Sequence, residues 1–170
     1  MRTSEQYLEN LRRMKQNVYM GGELIKRNDP RIIPGINVMR ITFDMAGDPQ
    51  NAELFTTTSQ YTKRKINRFC NVSDSVEDLL NKQKMIRTGT RLSGFCIQRC
   101  MGIDATNAIY NVSYEADKAN KGSTQYHENF KKWLKRFQTE DLVGCCAQTD
   151  VKGDRLLRPA DQPNPDAYMR

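Results

Sequence analysis

The chain has little of what marks membrane and secreted proteins. No run among its 170 residues approaches the roughly 20 apolar residues that span a bilayer, and the start of the sequence is polar rather than an apolar signal segment. Its five cysteines are an odd number, which does not suit a disulfide framework. The sequence therefore excludes a membrane span and predicts a reduced, cytoplasmic setting.

Apolar residues are also scarce for a protein of this size. The hydrophobic fraction is 38% and the charged fraction is 28%. The length fits one domain of about 100 to 200 residues, which is long enough to bury a core. We therefore expect some apolar faces of the chain to be covered by a partner.

The net charge of +7 is compatible with nucleic acid, an anionic cofactor or an acidic partner surface. Most basic residues are scattered, and the densest runs are Lys63-Arg64-Lys65, Lys131-Lys132 and Lys135-Arg136. No nucleic-acid-binding motif accompanies these runs, so we interpret them as solvated faces and predict no nucleic-acid partner. A non-catalytic basic helical module that binds nucleic acid or a metal is kept as an alternative.

Apolar spacing and capping residues predict a mainly helical chain. Thr3-Ser4-Glu5-Gln6 is typical of a capping box ahead of a first amphipathic helix, and Ser75 can cap a helix that runs toward Gly89. Further helices are predicted at about 36–47, at 94–101 with Gly102 as terminator, from Asp104 to 112, and at 124–138. The polar residues 56–71 show no clear period and predict an ordered loop.

Residues 142–147, Leu-Val-Gly-Cys-Cys-Ala, predict a strand after the last helix. A lone strand has no sheet, so we expect the chain to stop inside or just before a second domain. Residues 1–140 are assigned to a helical N-terminal domain and residues 141–170 to the incomplete start of a β-domain. Cys145 and Cys146 would face opposite sides of the strand, so packing is their expected role.

Cys96 and Cys100 are the leading candidates for metal ligation. On a helix, their spacing of four places both thiols on one face, and thiolates are the ligands that zinc and iron-sulfur centres prefer. Two buried cysteines packed as small apolar residues would show the same spacing. Two thiols cannot complete a tetrahedral site, so the other ligands would come from His127, Cys70, Cys145, Cys146 or another polypeptide.

Three further features have weaker signals. Arg99, between the two cysteines, either balances the charge of a cluster or points to water. His127 lies on an aromatic-rich helix, where a hydrogen-bonded or exposed histidine is the ordinary case. The loop from Thr149 to Arg155 offers hydroxyl, backbone and cationic donors for a phosphate-bearing or flavin ligand, although it lacks the glycine pattern of a nucleotide-binding turn.

Six segments of the chain resemble the 4-hydroxybutyryl-CoA dehydratase/vinylacetyl-CoA isomerase family, within the larger 4-hydroxyphenylacetate hydroxylase-like flavoprotein group. They are Glu5-Gln6-Tyr7, Val18-Tyr19-Met20, Ile66-Asn67-Arg68-Phe69, Cys96-Ile-Gln-Arg-Cys100-Met-Gly-Ile-Asp104, Tyr126-His127-Glu128-Asn129-Phe130 and Thr149-Asp150-Val151-Lys152-Gly153-Asp154-Arg155. The cysteine segment is the specific part of the match, because the hydroxylase relatives lack this pair.

The resemblance implies the N-terminal helical domain of an acyl-CoA dehydrogenase-like fold, with the first strand of a following β-domain. It implies an acyl-CoA substrate, a homo-oligomer, which in the family is a tetramer, and a remaining C-terminal part or companion chain. Without that part we expect the chain to be inactive, with its catalytic residues elsewhere. A component of a flavin-dependent 4-hydroxyphenylacetate 3-monooxygenase-like enzyme is the alternative, which the cysteine pair argues against.

The resemblance also assigns cofactors. It makes Cys96 and Cys100 two of the four ligands of a 4Fe-4S cluster, whose other ligands are a histidine and a cysteine of the later helical domain. It makes an eight-residue segment the first contact with FAD, namely Gln148, Thr149, Asp150, Val151, Lys152, Gly153, Asp154 and Arg155. Val151 stands where the family has proline, and Ser73-Asp74 where it has a histidine-glutamine pair.

The chemistry that the resemblance implies is the removal of water from 4-hydroxybutyryl-CoA to give crotonyl-CoA. An unactivated C–H bond must break, and a transient flavin radical makes its proton acidic. The cluster acts as a Lewis acid that binds the leaving hydroxyl, rather than as an electron relay. This division of labour requires the cysteine pair and the flavin segment to meet in one cleft.

Overall fold

The computed structural model describes residues 1–94, 96–97, 99–144, 146 and 153–163, and only the backbone of residues 100 and 101. The elements of this part of the chain are mostly helical, which confirms the predicted fold class. The helices are α1 Ser4–Arg13, α2 Ile33–Gly47, α3 Ala52–Phe55, α4 Val76–Ser93, α5 Cys100–Ala119 and α6 Tyr126–Thr139. The strands are β1 Val18–Met20, β2 Glu23–Ile25, β3 Thr56–Thr58 and β4 Lys65–Asn67, and 3₁₀ turns lie at Arg68–Cys70 and Pro159–Asp161.

The predicted helix starts are confirmed where a side chain caps the backbone. Thr3 Oγ1 accepts the amide hydrogen of Gln6 at 3.2 Å, and Gln6 Oε1 accepts that of Thr3 at 3.0 Å, so the capping box of α1 is complete. Ser75 Oγ likewise accepts the amide hydrogen of Asp78 at 3.1 Å at the start of α4. These caps use amide hydrogens that have no partner within the helix.

Two antiparallel hairpins interrupt the helices. In the first, Val18 of β1 pairs with Ile25 of β2. In the second, Thr56 of β3 pairs with Asn67 of β4. The prediction of an ordered loop at residues 56–71 is therefore wrong. The strand was not recognised in the sequence because the polar threonines of β3 lack apolar alternation.

The buried side chains form two hydrophobic clusters. The first contains Ala46, Phe55, Phe69, Met85 and Ile97. The second contains Cys70, Val72, Phe130, Leu134 and Phe137. The consecutive residues Phe69 and Cys70 belong to different clusters, so the 3₁₀ turn at 68–70 joins the α2–α4 side of the molecule to α6.

The strand predicted at residues 142–147 is absent from the described part of that segment. Residues 142–144 and 146 have no regular secondary structure, and residues 145 and 147 lie outside the described residues. The Leu142 amide donates to Phe137 O at 3.1 Å, and the Leu142 carbonyl accepts from Arg99. The Leu142 backbone is therefore engaged by a helix end and a side chain rather than by a neighbouring strand.

The prediction that the basic runs are solvated agrees with the structure. The side chains of Lys63, Arg64 and Lys65 are exposed, as are those of Lys132, Lys135 and Arg136. No helix in the described part of the chain is long and apolar enough to cross a membrane.

Candidate functional site

The two candidate ligands Cys96 and Cys100 do not lie on one helix. Helix α4 ends at Ser93, and Gly94 adopts the left-handed conformation at its C-cap, with φ 66° and ψ 4°. Helix α5 begins at Cys100. The predicted helix at 94–101 is therefore wrong, because Gly94 stops α4 and Cys96 precedes α5.

Two details of the predicted α5 boundaries also need correction. Gly102 lies inside α5 and does not terminate a helix. Asp104 is also inside α5 rather than at its N-cap, and its carboxylate accepts a hydrogen bond from Lys82 Nζ at 2.7 Å. Thus α5 is one helix of 20 residues where the sequence predicted two shorter ones.

The described residues between α4 and α5 include one exposed and two buried side chains. Cys96 is exposed and its thiol is free. Ile97 is fully buried in the first cluster, and Arg99 is 2% exposed. Cys100 starts α5, and its side chain is outside the described residues. The structure therefore places both cysteines in one short segment, which is anchored by the buried residues Ile97 and Arg99.

The Arg99 side chain is buried and forms an ion pair, so it does not point to water. Its Nη2 donates to Asp141 Oδ1 at 2.7 Å and to Leu142 O at 3.0 Å, while Nη1 donates to Thr42 Oγ1 at 3.1 Å. Asp141 is as buried as Arg99, at 2% of its side-chain surface. The Arg99 guanidinium therefore ties the cysteine segment to α2 and to the residues after α6.

Aromatic rings and a thiol complete the surroundings of Arg99. Its Cζ lies 4.7 Å from the ring centroid of Phe43 and 5.5 Å from that of Phe69, which are cation–π distances. Cys70 Sγ is 3.4 Å from Nη2 and 3.6 Å from Asp141 Oδ1. Burial raises the pKa of the Cys70 thiol to about 12, and Asp141 adds to the rise while Arg99 opposes it. Cys70 is thus a neutral core thiol at neutral pH.

Asp141 has an uncommon backbone for an aspartate. Its φ is 48°, in the left-handed region that glycine adopts most readily. It follows the Glu140 C-cap of α6, and the Leu142 amide donates to Phe137 O, which is the long hydrogen bond of a Schellman motif. The second carboxylate oxygen accepts the amide hydrogen of Arg2 at 3.1 Å. The carboxylate therefore joins Arg99, α6 and the start of the chain.

His127 is hydrogen-bonded, as predicted for an ordinary helical histidine. Its Nδ1 lies 3.1 Å from Ser113 Oγ, and its ring meets those of Tyr110 and Tyr114 edge-on at 4.8 and 5.5 Å. Within the described ranges, histidine, cysteine, aspartate and glutamate side chains form no group of three or more that could hold a metal ion. His127 is therefore part of an aromatic packing site between α5 and α6.

The predicted flavin segment is described only at its end. Gln148, Thr149, Asp150, Val151 and Lys152 lie outside the described residues. Gly153, Asp154 and Arg155 are exposed, and Gly153 has a φ of 55° that suits glycine.

A buried glutamine that the sequence did not single out holds this end of the segment. Gln162 Oε1 accepts the amide hydrogen of Asp154 at 3.0 Å, and Gln162 Nε2 donates to Asp154 O at 2.6 Å. Gln162 is 6% exposed, and it follows the 3₁₀ turn at 159–161. Because a glutamine among prolines has no distinctive pattern, only the folded geometry identifies it.

Comparisons with known proteins give consistent matches along the whole chain. Residues 3–170 match a family model described as 4-hydroxyphenylacetate 3-hydroxylase N terminal. The 4-hydroxybutyryl-CoA dehydratase/vinylacetyl-CoA-Δ-isomerase of Clostridium aminobutyricum is 45% identical over 170 residues, which cover 99% of this chain and 34% of that protein.

Solved structures match as well. An oxygen-tolerant archaeal 4-hydroxybutyryl-CoA dehydratase from N. maritimus has a TM-score of 0.85 and 38% identity, over 98% of this chain and 33% of that one. The oxygenase component of 4-hydroxyphenylacetate 3-monooxygenase, complexed with FAD and 4-hydroxyphenylacetate, has a TM-score of 0.66 and 18% identity over 97% of this chain and 34% of that one. At that identity the second match shows the fold alone. The chain spans about a third of the length of these relatives.

Proposed function

The chain belongs to the 4-hydroxyphenylacetate 3-hydroxylase family through its N-terminal family model, and we propose that it is the N-terminal portion of a 4-hydroxybutyryl-CoA dehydratase with vinylacetyl-CoA Δ-isomerase activity. The observation that carries this proposal is the 45% identity to the clostridial dehydratase along essentially the whole chain. The oxygenase component shares the fold at only 18% identity. The dehydratase is therefore the better model for the chemistry.

The cysteine segment suits half of a 4Fe-4S site. Cys96 offers an exposed free thiol, and Cys100 follows four residues later as the first residue of α5. Thiolates are the usual ligands of such clusters. The family resemblance gives the proposed cluster its other two ligands, a histidine and a cysteine, from polypeptide outside this chain.

The residues from Gln148 to Arg155 are the proposed first contact with FAD. The two hydrogen bonds between Gln162 and the Asp154 backbone support this role, because they hold the end of the segment while Arg155 stays exposed. Val151 stands where the family resemblance gives a proline. When bound, the flavin supplies one-electron chemistry and the cluster supplies a Lewis acid for the leaving hydroxyl.

In this proposal, the role of the chain is to hold and orient the cluster and the flavin. Cys96 and Cys100 would be two ligands of the cluster, and the 148–155 segment would contact the flavin. The substrate is an acyl-CoA, and the catalytic residues belong to the remaining polypeptide, either a later part of the same enzyme or a companion chain. We propose residues 1–140 as the helical domain, residues 141–170 as the start of a β-domain, and a cytoplasmic homo-oligomer as the assembled form.

Replacement of Cys96 tests the cluster assignment. In the complete enzyme, purified without oxygen, Cys96→Ser is expected to lower the bound iron and sulfide and to abolish crotonyl-CoA formation. Cys146→Ser is the matched control, since Cys146 is a half-buried free cysteine outside the pair, and it should keep the iron. Unchanged iron and sulfide in Cys96→Ser would show that Cys96 is not a ligand.

The isolated chain provides a second test. Reconstituted with iron, sulfide and FAD, the 170 residues alone are expected to form no crotonyl-CoA from 4-hydroxybutyryl-CoA. Measurable product without added polypeptide would refute the claim that half of the site lies elsewhere.

A flavin-dependent hydroxylase component is the second candidate, and the shared fold of the oxygenase component favours it. The complete enzyme, supplied with reduced FAD, oxygen and 4-hydroxyphenylacetate, is expected to form no dihydroxylated product. Formation of that product with no dehydration of 4-hydroxybutyryl-CoA would replace the dehydratase proposal with this one.

A further inference from the structure

We propose that Arg99 is a positioning residue that holds the Cys96–Cys100 segment in register with the residues leading to the 148–155 segment. The inference rests on the proposed function, because it assigns the two segments to the cluster and the flavin. The observation behind it is that one buried guanidinium, located between the two cysteines in sequence, contacts Asp141 and Leu142, which precede the 148–155 segment.

The shape of the guanidinium suits this role. Its two terminal nitrogens reach Thr42 on α2, the Asp141 carboxylate and the Leu142 carbonyl, all within 3.1 Å. A lysine ammonium offers one nitrogen and cannot reproduce this planar fork. The rings of Phe43 and Phe69 further restrict the position of the guanidinium, since its Cζ lies over the ring of each. The direction of the Arg99 side chain is therefore fixed, and with it the backbone that carries Cys96 and Cys100.

Stability alone is a poor explanation for this arrangement. Burying an ion pair costs desolvation that its attraction often fails to exceed, and apolar replacements are frequently as stable. The left-handed backbone of Asp141 belongs to the Schellman motif at the end of α6, which aspartate tolerates better than most residues with a Cβ. The buried pair is better explained by the geometry that it imposes on the residues it joins.

The burial of the residues around Cys96 is consistent with a positioning role for Arg99. Ile97 and Arg99 are buried, whereas Cys96 is exposed. Ile97 directly follows Cys96 and Arg99 directly precedes Cys100, so each cysteine has a buried neighbour in the sequence. Metal sites commonly depend on such outer residues for the orientation of their ligands.

Three variants of the complete enzyme test the proposal. Arg99→Lys keeps the charge but loses the fork, and Asp141→Asn keeps the shape and tolerates the left-handed backbone but loses the carboxylate charge. Arg68→Lys is the matched control. Arg68 is also buried, donates to Leu54 O at 2.7 Å and Thr56 O at 2.8 Å, and pairs with Asp78, and none of these partners belongs to the cysteine segment.

Two measurements distinguish positioning from general stability. Iron release to a chelator should be about 10- to 100-fold faster in Arg99→Lys and Asp141→Asn than in wild type or Arg68→Lys, and the electron paramagnetic resonance spectrum of the reduced cluster should change in the first two variants only. In cluster-free enzyme, amide hydrogen exchange of the segment from 96 to 104 should rise about 10-fold or more in the same two variants.

The outcomes separate the two proposals. If wild type binds no cluster yet hydrogen exchange responds as expected, the proposed function fails and the positioning role stands. If wild type binds a cluster and Arg99→Lys and Asp141→Asn match it in both measurements, the positioning role is wrong. A response of Arg68→Lys equal to that of Arg99→Lys would also overturn it, since the effect would then be general.

Discussion

Gly89 on α4 and Ile97 pack so closely that a Cβ at position 89 would lie 3.3 Å from two side-chain carbons of Ile97, Cδ1 and Cγ2. Ile97 is fully buried, and the same Cβ would be 3.8 Å from the ring of Phe55. The absence of a side chain at position 89 thus allows the residue next to Cys96 to enter the first hydrophobic cluster. This contact explains a glycine inside a helix that continues to Ser93.

Gly89→Ala should therefore fail to stabilise the protein. Alanine at a helix-interior glycine gains about 1 kcal/mol from propensity, but overpacking of a filled core costs about 1–3 kcal/mol, so we expect a net loss of up to about 2 kcal/mol in urea unfolding. Gly35→Ala on α2 is the control, because nothing lies within 4 Å of its Cβ position. A gain in Gly89→Ala equal to that in Gly35→Ala would contradict the packing argument.

Asp117 should make the start of α6 sensitive to acid. Its carboxylate accepts hydrogen bonds from Thr124 Oγ1 and from the amides of Tyr126 at 3.0 Å and His127 at 2.9 Å. The Thr124 hydroxyl, followed by the His127 and Tyr126 amides, lowers the pKa of Asp117. A carboxylate with a lowered folded pKa contributes stability above its unfolded pKa of about 3.9, and this contribution is lost as the pH falls through the folded value.

The Asp117→Asn variant measures that contribution. It should be less stable than wild type at pH 7, and the difference in unfolding free energy should shrink as the pH falls below about 4. Asp44→Asn, which removes an exposed carboxylate of α2, controls for the change in net charge. A difference for Asp117→Asn that stays constant from pH 7 to pH 3 would show that the charge is not what the amides recognise.

The free thiols Cys96 and Cys70 should differ sharply in reactivity. Cys96 is exposed, whereas Cys70 is fully buried with a pKa raised to about 12 by burial. The thiolate is the reactive form, so a disulfide reagent at pH 8 should modify Cys96 in the folded protein and Cys70 only after unfolding. Mass spectrometry of the labelled peptides checks this result, and rapid labelling of Cys70 under native conditions would contradict it.

The raised pKa of Cys70 also predicts an effect of alkali on stability. The folded pKa lies above the unfolded value of about 8.5, so the stabilising contribution of the neutral thiol is complete below that value. It is lost as the pH rises toward about 12. Wild type should therefore lose stability above pH 9 more steeply than Cys70→Ala, although the variant is less stable at pH 7 because it leaves a cavity.

The sequence predicted those features of the fold that depend on residues close together in the chain. The capping box of Thr3 and Gln6, the cap at Ser75 and the aromatic stripe of α6 were all recognisable, because each depends on residues within one or two helical turns. The break at Gly94 was missed, since glycine inside a helical pattern and glycine at a helix end look alike in sequence. The cysteine pair was therefore placed on a helix face that does not exist.

Long-range partners could not be predicted from the sequence. Arg99 and Asp141 are 42 residues apart, and an arginine beside cysteines is normally solvated. Their burial depends on the rings of Phe43 and Phe69, which come from α2 and the 3₁₀ turn at 68–70. The family resemblance supplied the candidate ligands, but only the fold revealed the residue that anchors them.

The buried hydrogen bond between Ser59 and Gln138 should couple the β3–β4 hairpin to α6. Ser59 Oγ donates to Gln138 Oε1 at 2.6 Å, and both side chains are at most 2% exposed. Ser59 Oγ also accepts the amide hydrogens of Tyr61 at 3.1 Å and Thr62 at 3.0 Å, while Gln138 Nε2 donates to Cys70 O at 3.1 Å. Besides the bond that they share, Ser59 thus satisfies two backbone amides and Gln138 satisfies one backbone carbonyl.

A double-mutant cycle of Ser59→Ala and Gln138→Ala isolates the shared bond. Each single variant should lose about 1–3 kcal/mol, because it leaves buried donors or acceptors without partners. The double variant should lose less than the sum, by about 0.5–3 kcal/mol, since the second removal no longer breaks the Ser59–Gln138 bond. Equilibrium urea unfolding of all four proteins gives the coupling energy. Strict additivity would mean that the Ser59–Gln138 bond makes no net contribution to stability.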